Sequence, residues 1–117
     1  MDKPDFILEV VFYRTQAGNE PVREWLKRLR KEDRRIIGAD IKTVQLGWPL
    51  GMPLVRKIEP HLWEVRSRLT VGIARILFTV VDDHMVLLHG FIKQTAKLPA
   101  TELATAKRRL ANFKLDS

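Results

Sequence analysis

Arg66, Arg68, Arg75, Lys93 and Lys97 are the side chains of this sequence best suited to chemistry on a phosphate, and His89 lies among them. Arginine offers a planar fork that can bind two phosphate oxygens and keeps its charge at any physiological pH. Lysine adds a mobile point charge. Histidine is the side chain whose unperturbed pKa lies nearest neutrality, which makes His89 a candidate for moving a proton. Arg56 and Lys57, a few residues upstream, could extend the same cationic surface. A sheet that gathers these groups is suited to gripping a phosphate backbone, so the pattern points to nucleic acid and to RNA in particular.

The charge balance agrees. The chain has 117 residues with a formal net charge of +7. Residues 1–55 hold ten Lys/Arg against eight Asp/Glu, or +2, whereas residues 56–117 hold eleven against six, or +5. The excess therefore lies in the half that carries the arginines. A basic surface attracts polyanions, and it attracts acidic proteins as well. Without cysteine, disulfides and thiolate metal sites are excluded. His61, His84 and His89 lack zinc-site spacing, and there is no glycine-rich phosphate loop or serine triad pattern, so no metal and no cofactor is expected. No apolar run is long enough to cross a bilayer and the N-terminus lacks a signal-peptide core, which predicts a cytoplasmic protein with no membrane partner.

The elements that must position these groups follow from the hydrophobic periods. Phe6–Tyr13 is a β-branched and aromatic run, read as a strand buried on both faces. Ala17-Gly18-Asn19 ends it, and Glu20-Pro21 starts a helix in which Val22, Trp25, Leu26 and Leu29 share one face. A second helix is predicted over Glu32–Leu46, with Ile37, Ile41 and Val44 inward. The cluster Lys27, Arg28, Arg30, Lys31, Arg34 and Arg35 between the two helices reads as a solvated surface. Gly47–Pro53 is a loop rich in glycine and proline.

Strands follow near Val55–Glu59, Leu62–Leu69, Ile73–Val81 and Met85–Ile92, with a tight turn at Asp82-Asp83. Alternation places Trp63, Val65, Ser67 and Leu69 on one face and Glu64, Arg66 and Arg68 on the other. The third of these strands is apolar on both faces apart from Arg75, so it should be central, and its arginine needs a partner or an opening to solvent. Pro99 announces a last helix with Leu103, Ala106, Leu110 and Phe113 inward. The expectation is one α+β domain over residues 1–117, with the helices on one face of the sheet and the arginines on the other.

Leu62-Trp63-Glu64-Val65-Arg66, Gly72-Ile73-Ala74-Arg75-Ile76-Leu77-Phe78, His89-Gly90-Phe91-Ile92-Lys93 and Lys97-Leu98-Pro99 before an amphipathic helix occur here in one order and spacing. Together with Asn19-Glu20-Pro21-Val22, they resemble the phage-derived RelE/HigB-like toxins of type II toxin–antitoxin modules. The resemblance implies a RelE-like fold: an antiparallel sheet with two N-terminal helices and a C-terminal helix, in the order βααβββ(β)α. It implies a metal-independent endoribonuclease, an mRNA interferase that cuts messages on the ribosome and so inhibits translation. It also implies a cognate helix-turn-helix antitoxin as partner.

In such a reaction RNA supplies its own nucleophile, the ribose 2′-hydroxyl. The protein then has to align it, offset the phosphate charge and move protons. By position, Arg75 matches the arginine of the family's Gly-x-x-Arg strand, Arg66 the basic residue closing the preceding motif, and Lys93 and Lys97 two lysines of the strand-to-helix loop. With His89 for proton transfer, the catalytic set expected is Arg75, Arg66, Lys93 and His89, and the RNA-binding set Arg68, Lys97, Arg56 and Lys57. Glu102 is a second proton-transfer candidate, although a first-turn helix glutamate is also favoured by the helix dipole alone. His89, beside Leu87 and Phe91, could equally be a packed strand residue.

The sequence departs from the family at definite positions. Leu62 and Glu64 stand where many RelE nucleases have a pair of lysines, and Gln94 stands where a second lysine would follow Lys93. The catalytic tyrosine that some members carry early in the C-terminal helix has no counterpart, since the only tyrosine of the sequence is Tyr13. Two other readings therefore stay open: a non-enzymatic ParE-like gyrase poison, and a basic nucleic-acid-binding prophage remnant.

Overall fold

The β-branched runs after residue 54 form a continuous antiparallel ribbon, and the rest of the chain folds against it. The computed structural model describes residues 7–93 and 97–116, so Phe6 and Gln94 lie outside the described residues. The elements run β1 (Glu9–Phe12), α1 (Pro21–Lys27), α2 (Lys31–Gly47), β2 (Val55–Glu59), β3 (Leu62–Leu69), β4 (Gly72–Val81), β5 (His84–Lys93) and α3 (Ala100–Asp116). This is an α+β fold compatible with the RelE-like expectation.

The strand order is β1-β5-β4-β3-β2, so β4 is central, as its apolar faces predict. β2 to β5 pair antiparallel, but β1 pairs with β5 in parallel, which makes the sheet mixed. The parallel pairing follows from the number of reversals. The two helices lead from β1 to β2, which runs the opposite way, and the three reversals of the ribbon then bring β5 beside β1 in the same direction. β1 is an edge strand whose Val10 and Phe12 join one apolar layer and Val11 the other. It serves both faces without being closed on either.

α1 and α2 cover one face. Val22, Ile37, Ile41 and Val44 meet Val55, Val65, Ala74, Ile76, Phe78, Met85 and Leu87 there. Each such fully buried aliphatic side chain contributes about 1.5–3 kcal/mol relative to exposure. Trp48, at the end of α2, stands edge-on to Trp63 at 5.1 Å and to Phe78 at 5.7 Å, which ties the Gly47–Pro53 loop to the sheet. Gly90 is required on this face: a Cβ there would lie 2.6 Å from the Trp25 ring.

The expectation that all helices share this face is corrected by α3. Its Leu103, Ala106, Leu110 and Phe113 cover Leu62, Leu77, Val86 and Leu88 on the opposite face. That face also carries the arginines, so α3 shares it with them. With α1 and α2 filling the first face, the apolar stripe of α3 closes part of the second.

One irregularity decides which side chains of β5 join the arginines. Leu77 stands opposite His89 and Phe78 opposite Leu87, so Leu88 is an extra residue in β5, a β-bulge. Simple alternation from Met85 and Leu87 would send His89, Phe91 and Lys93 to the face of α1 and α2. The bulge reverses this and turns all three to the α3 face, opposite Leu77, Arg75 and Ile73.

Candidate functional site: a cationic sheet face bordered by α3

Three rows of cross-strand neighbours build the site. Arg56 faces Glu64, which faces Leu77, which faces His89. Arg66 faces Arg75, which faces Phe91. Arg68 faces Ile73, which faces Lys93. Six of the residues expected from sequence (Arg56, Arg66, Arg68, Arg75, His89 and Lys93) thus lie on one sheet face. Lys57 does not: it faces Trp63, on the side of α1 and α2. It points away from its neighbour Arg56, because adjacent strand residues face opposite sides of a sheet. Lys97 is exposed just before α3.

Directly opposed arginines repel, and Glu64 offsets that. Its carboxylate lies 3.6 Å from Arg75 Nη1 and 3.8 Å from Arg66 Nε. The Arg75 and Glu64 side chains are fully buried, whereas Arg66 is 18% exposed. Burial pushes the Glu64 carboxyl above its ordinary range, with Arg75, Arg66 and Arg56 pulling it back in that order. Burial likewise pushes the Arg75 guanidinium down, opposed by Glu64; a guanidinium nevertheless stays protonated in a protein. Three guanidiniums against one carboxylate leave this cluster cationic. Arg66 Nε donates no hydrogen bond to the described residues although it is buried. Of the two arginines singled out for phosphate, Arg66 is the one that reaches the surface, and Arg75 stands behind it with Glu64.

A second cluster lies where α3 meets the bulge. His89 Nε2 is 2.5 Å from Glu102 Oε1, and Arg109 Nη1 lies 3.3 Å from His89 Nδ1. The same Arg109 nitrogen donates to the Leu88 carbonyl at 2.8 Å, so the bulged residue's backbone acceptor is satisfied from α3. The imidazole stacks on Phe91, with ring centres 5.7 Å apart. Burial pushes the Arg109 guanidinium down, with Arg108 adding to the shift and Tyr13 opposing it. Arg109 also lies 6.0 Å over the Tyr13 ring. Arg109 was not expected from sequence. Its neighbours Lys107 and Arg108 are exposed, and nothing in a basic helical run marks one member as inward.

Among the described residues, Glu9, Asp83 and His84 place one ligand atom each within 4.8 Å of one another at the β4–β5 turn. One imidazole and two exposed carboxylates fall short of the donor set of a structural zinc centre, and the group lies at the opposite end of β5 from Lys93. No helix among the described residues is long and apolar enough to cross a membrane.

Residues 24–111 match the family described as phage-derived protein Gp49-like (DUF891). Comparison with curated proteins gives no match. The chain belongs to the phage-derived Gp49-like family.

Proposed function

We propose that this member of the phage-derived Gp49-like family is the toxin of a type II toxin–antitoxin module, acting as a metal-independent endoribonuclease on ribosome-bound mRNA. The observation that carries the reading is the α3-side sheet face. There Arg56, Arg66 and Arg75 outnumber Glu64, while a histidine–carboxylate pair stands one diagonal step away. Arg66 meets the scissile phosphate, backed by Arg75, and offsets the charge that develops as the 2′-oxygen attacks. Such preorganised charge is worth most where water is partly excluded. Lys93, Arg68, Arg56 and Lys97 hold the neighbouring backbone. An acidic surface of a helix-turn-helix antitoxin would cover this face, since opposite charge both speeds association and suppresses wrong contacts.

The test is induction without a partner. Protein synthesis should stop before DNA replication, and primer extension should reveal cuts inside translated messages. Continued translation with early gyrase-dependent DNA damage would replace this reading with the non-enzymatic gyrase poison. That alternative draws on one observation: Leu62 and Glu64, at the positions where related nucleases carry lysines, are fully buried here.

A further inference from the structure

We propose that Glu102 is the group that accepts the proton of the ribose 2′-hydroxyl, and that His89 and Arg109 are positioning residues that hold it. The proposal rests on the nuclease reading above and reassigns the proton-transfer role within it.

The argument begins with donors and acceptors. A guanidinium has N–H donors and no acceptor. Its contact with His89 Nδ1 therefore requires that nitrogen to be the bare acceptor of the ring. The ring proton then sits on Nε2 and is donated to Glu102 Oε1. Both nitrogens are committed inside the protein, and the ring stacks on Phe91. A neutral histidine so placed has neither a free lone pair nor a free N–H to offer a substrate.

Glu102 does. Only Oε1 is engaged by His89, its other oxygen makes no hydrogen bond to a described residue, and its side chain is 26% exposed against 17% for His89. It stands in the first turn of α3, where the helix dipole favours a negative side chain. The His89 N–H fixes which oxygen points inward, and Arg109 fixes the His89 ring in turn while bonding the Leu88 carbonyl of the bulge. His89 is two residues from Phe91, which faces Arg75. Such diagonal neighbours lie roughly 7–8 Å apart on a sheet, and Arg66 stands one strand beyond Arg75, so the two clusters border one stretch of the same face.

The step balances. The 2′-hydroxyl oxygen bonds to the adjacent phosphorus while its proton passes to the free Glu102 oxygen. The bond from phosphorus to the 5′ oxygen breaks, and that oxygen leaves with the electron pair and takes a proton from water. The products are a 2′,3′-cyclic phosphate and a 5′-hydroxyl, and Glu102 returns its proton to solvent.

Two measurements test this. In single-turnover cleavage of ribosome-bound message, Glu102→Gln and Glu102→Ala should each lose about a hundredfold or more in rate, the usual size of a general-base contribution. Ribosome affinity should be unchanged, and Glu102→Asp should recover part of the loss. Wild-type cleavage by either folded variant overturns the assignment of Glu102. Long-range proton–nitrogen NMR of the His89 ring reads the clamp without activity. It should show a single Nε2–H tautomer that becomes a mixture in Arg109→Met, and an Nδ1–H ring in the wild type overturns the positioning role of Arg109. If the wild-type protein cuts no message at all, the nuclease reading fails and the proton acceptor with it, whereas the NMR result still reports whether Arg109 and Glu102 hold the ring.

Discussion

The two faces of the sheet are built on opposite principles. Under α1 and α2 the contacts are apolar and closed, down to a glycine at 90 that admits the Trp25 ring against the strand. Under α3 only part of the face is covered in that way, and the rest carries guanidiniums, a carboxylate and an imidazole. Apolar contact is non-directional and tolerates slight repacking. A buried charge tolerates no loss of its partner. The comparison teaches that the first face supplies the stability that lets the second hold charges at a desolvation cost. It also says where each kind of substitution should act.

The largest effect is expected from splitting the pair behind the site. Arg75→Met should cost about 3–5 kcal/mol in urea unfolding, because it leaves the Glu64 carboxyl buried without the charge that most opposes its desolvation. Replacing both residues by methionine should cost less, since an apolar pair of similar volume can match a buried ion pair. A double-variant loss as large as that of Arg75→Met would show that the pair itself is strongly stabilising. The pH dependence follows from the same carboxyl. Its folded pKa is raised by burial, so between the unfolded value near 4.3 and the raised value the folded state binds more protons than the unfolded one. Stability from this group is therefore lost as pH rises through that window. Glu64→Gln should remove that segment of the profile, measured as the wild-type-minus-variant difference.

Arg66→Ala comes next and strikes function. It should lower message cleavage about a hundredfold, while Arg34→Ala should leave it intact. Arg34 is exposed and donates to the Lys27 and Leu29 carbonyls at the end of α1, on the other side of the sheet. Arg66→Lys should rescue only in part, because an ammonium cannot reproduce the planar fork. Equal losses for the two alanine variants would dissolve the functional distinction between the faces. On the apolar face, Gly90→Ala should cost about 1–3 kcal/mol through overpacking against Trp25. The combination Gly90→Ala with Trp25→Leu should recover part of it in thermal unfolding.

How much of this was legible in the sequence can be judged residue by residue. The two-residue period of Leu62–Leu69 placed Trp63 and Val65 opposite Arg66, and the structure agrees, because one register serves the whole strand. The central position of β4 followed from its apolar faces. The side of the sheet taken by α3 did not follow, since an amphipathic helix fits either face, and it is the filling of the other face by α1 and α2 that leaves this one to α3. The placement of His89 was also hidden. Alternation from Leu87 sends it to the α1 and α2 side, and only the bulge at Leu88 brings it to Glu102. An extra residue in a strand of apolar side chains leaves no mark in composition. Arg75 was legible as a charge in need of a partner, but Glu64 as that partner required the register of β3 on β4.

The smallest prediction compares two neighbours on the edge strand β2. Arg56 and Lys57 are both exposed, adjacent and positively charged, so composition and distance from the chain ends cannot tell them apart. They differ only in face: Arg56 stands opposite Glu64 in the cationic rows, and Lys57 stands opposite Trp63. Each can neutralise at most one phosphate. Losing a phosphate contact flattens the slope of log affinity against log salt by about 0.7–0.9 and weakens binding uniformly across sequences. Arg56→Ala should show that flattening in RNA-binding titrations at several salt concentrations, and Lys57→Ala should run parallel to the wild type. The pair controls for net charge, because both variants lose one positive charge and long-range steering falls equally in both. A flattened slope for Lys57→Ala as well would mean that RNA wraps around the β2 edge on to the second face. The site would then extend beyond the rows bordered by α3.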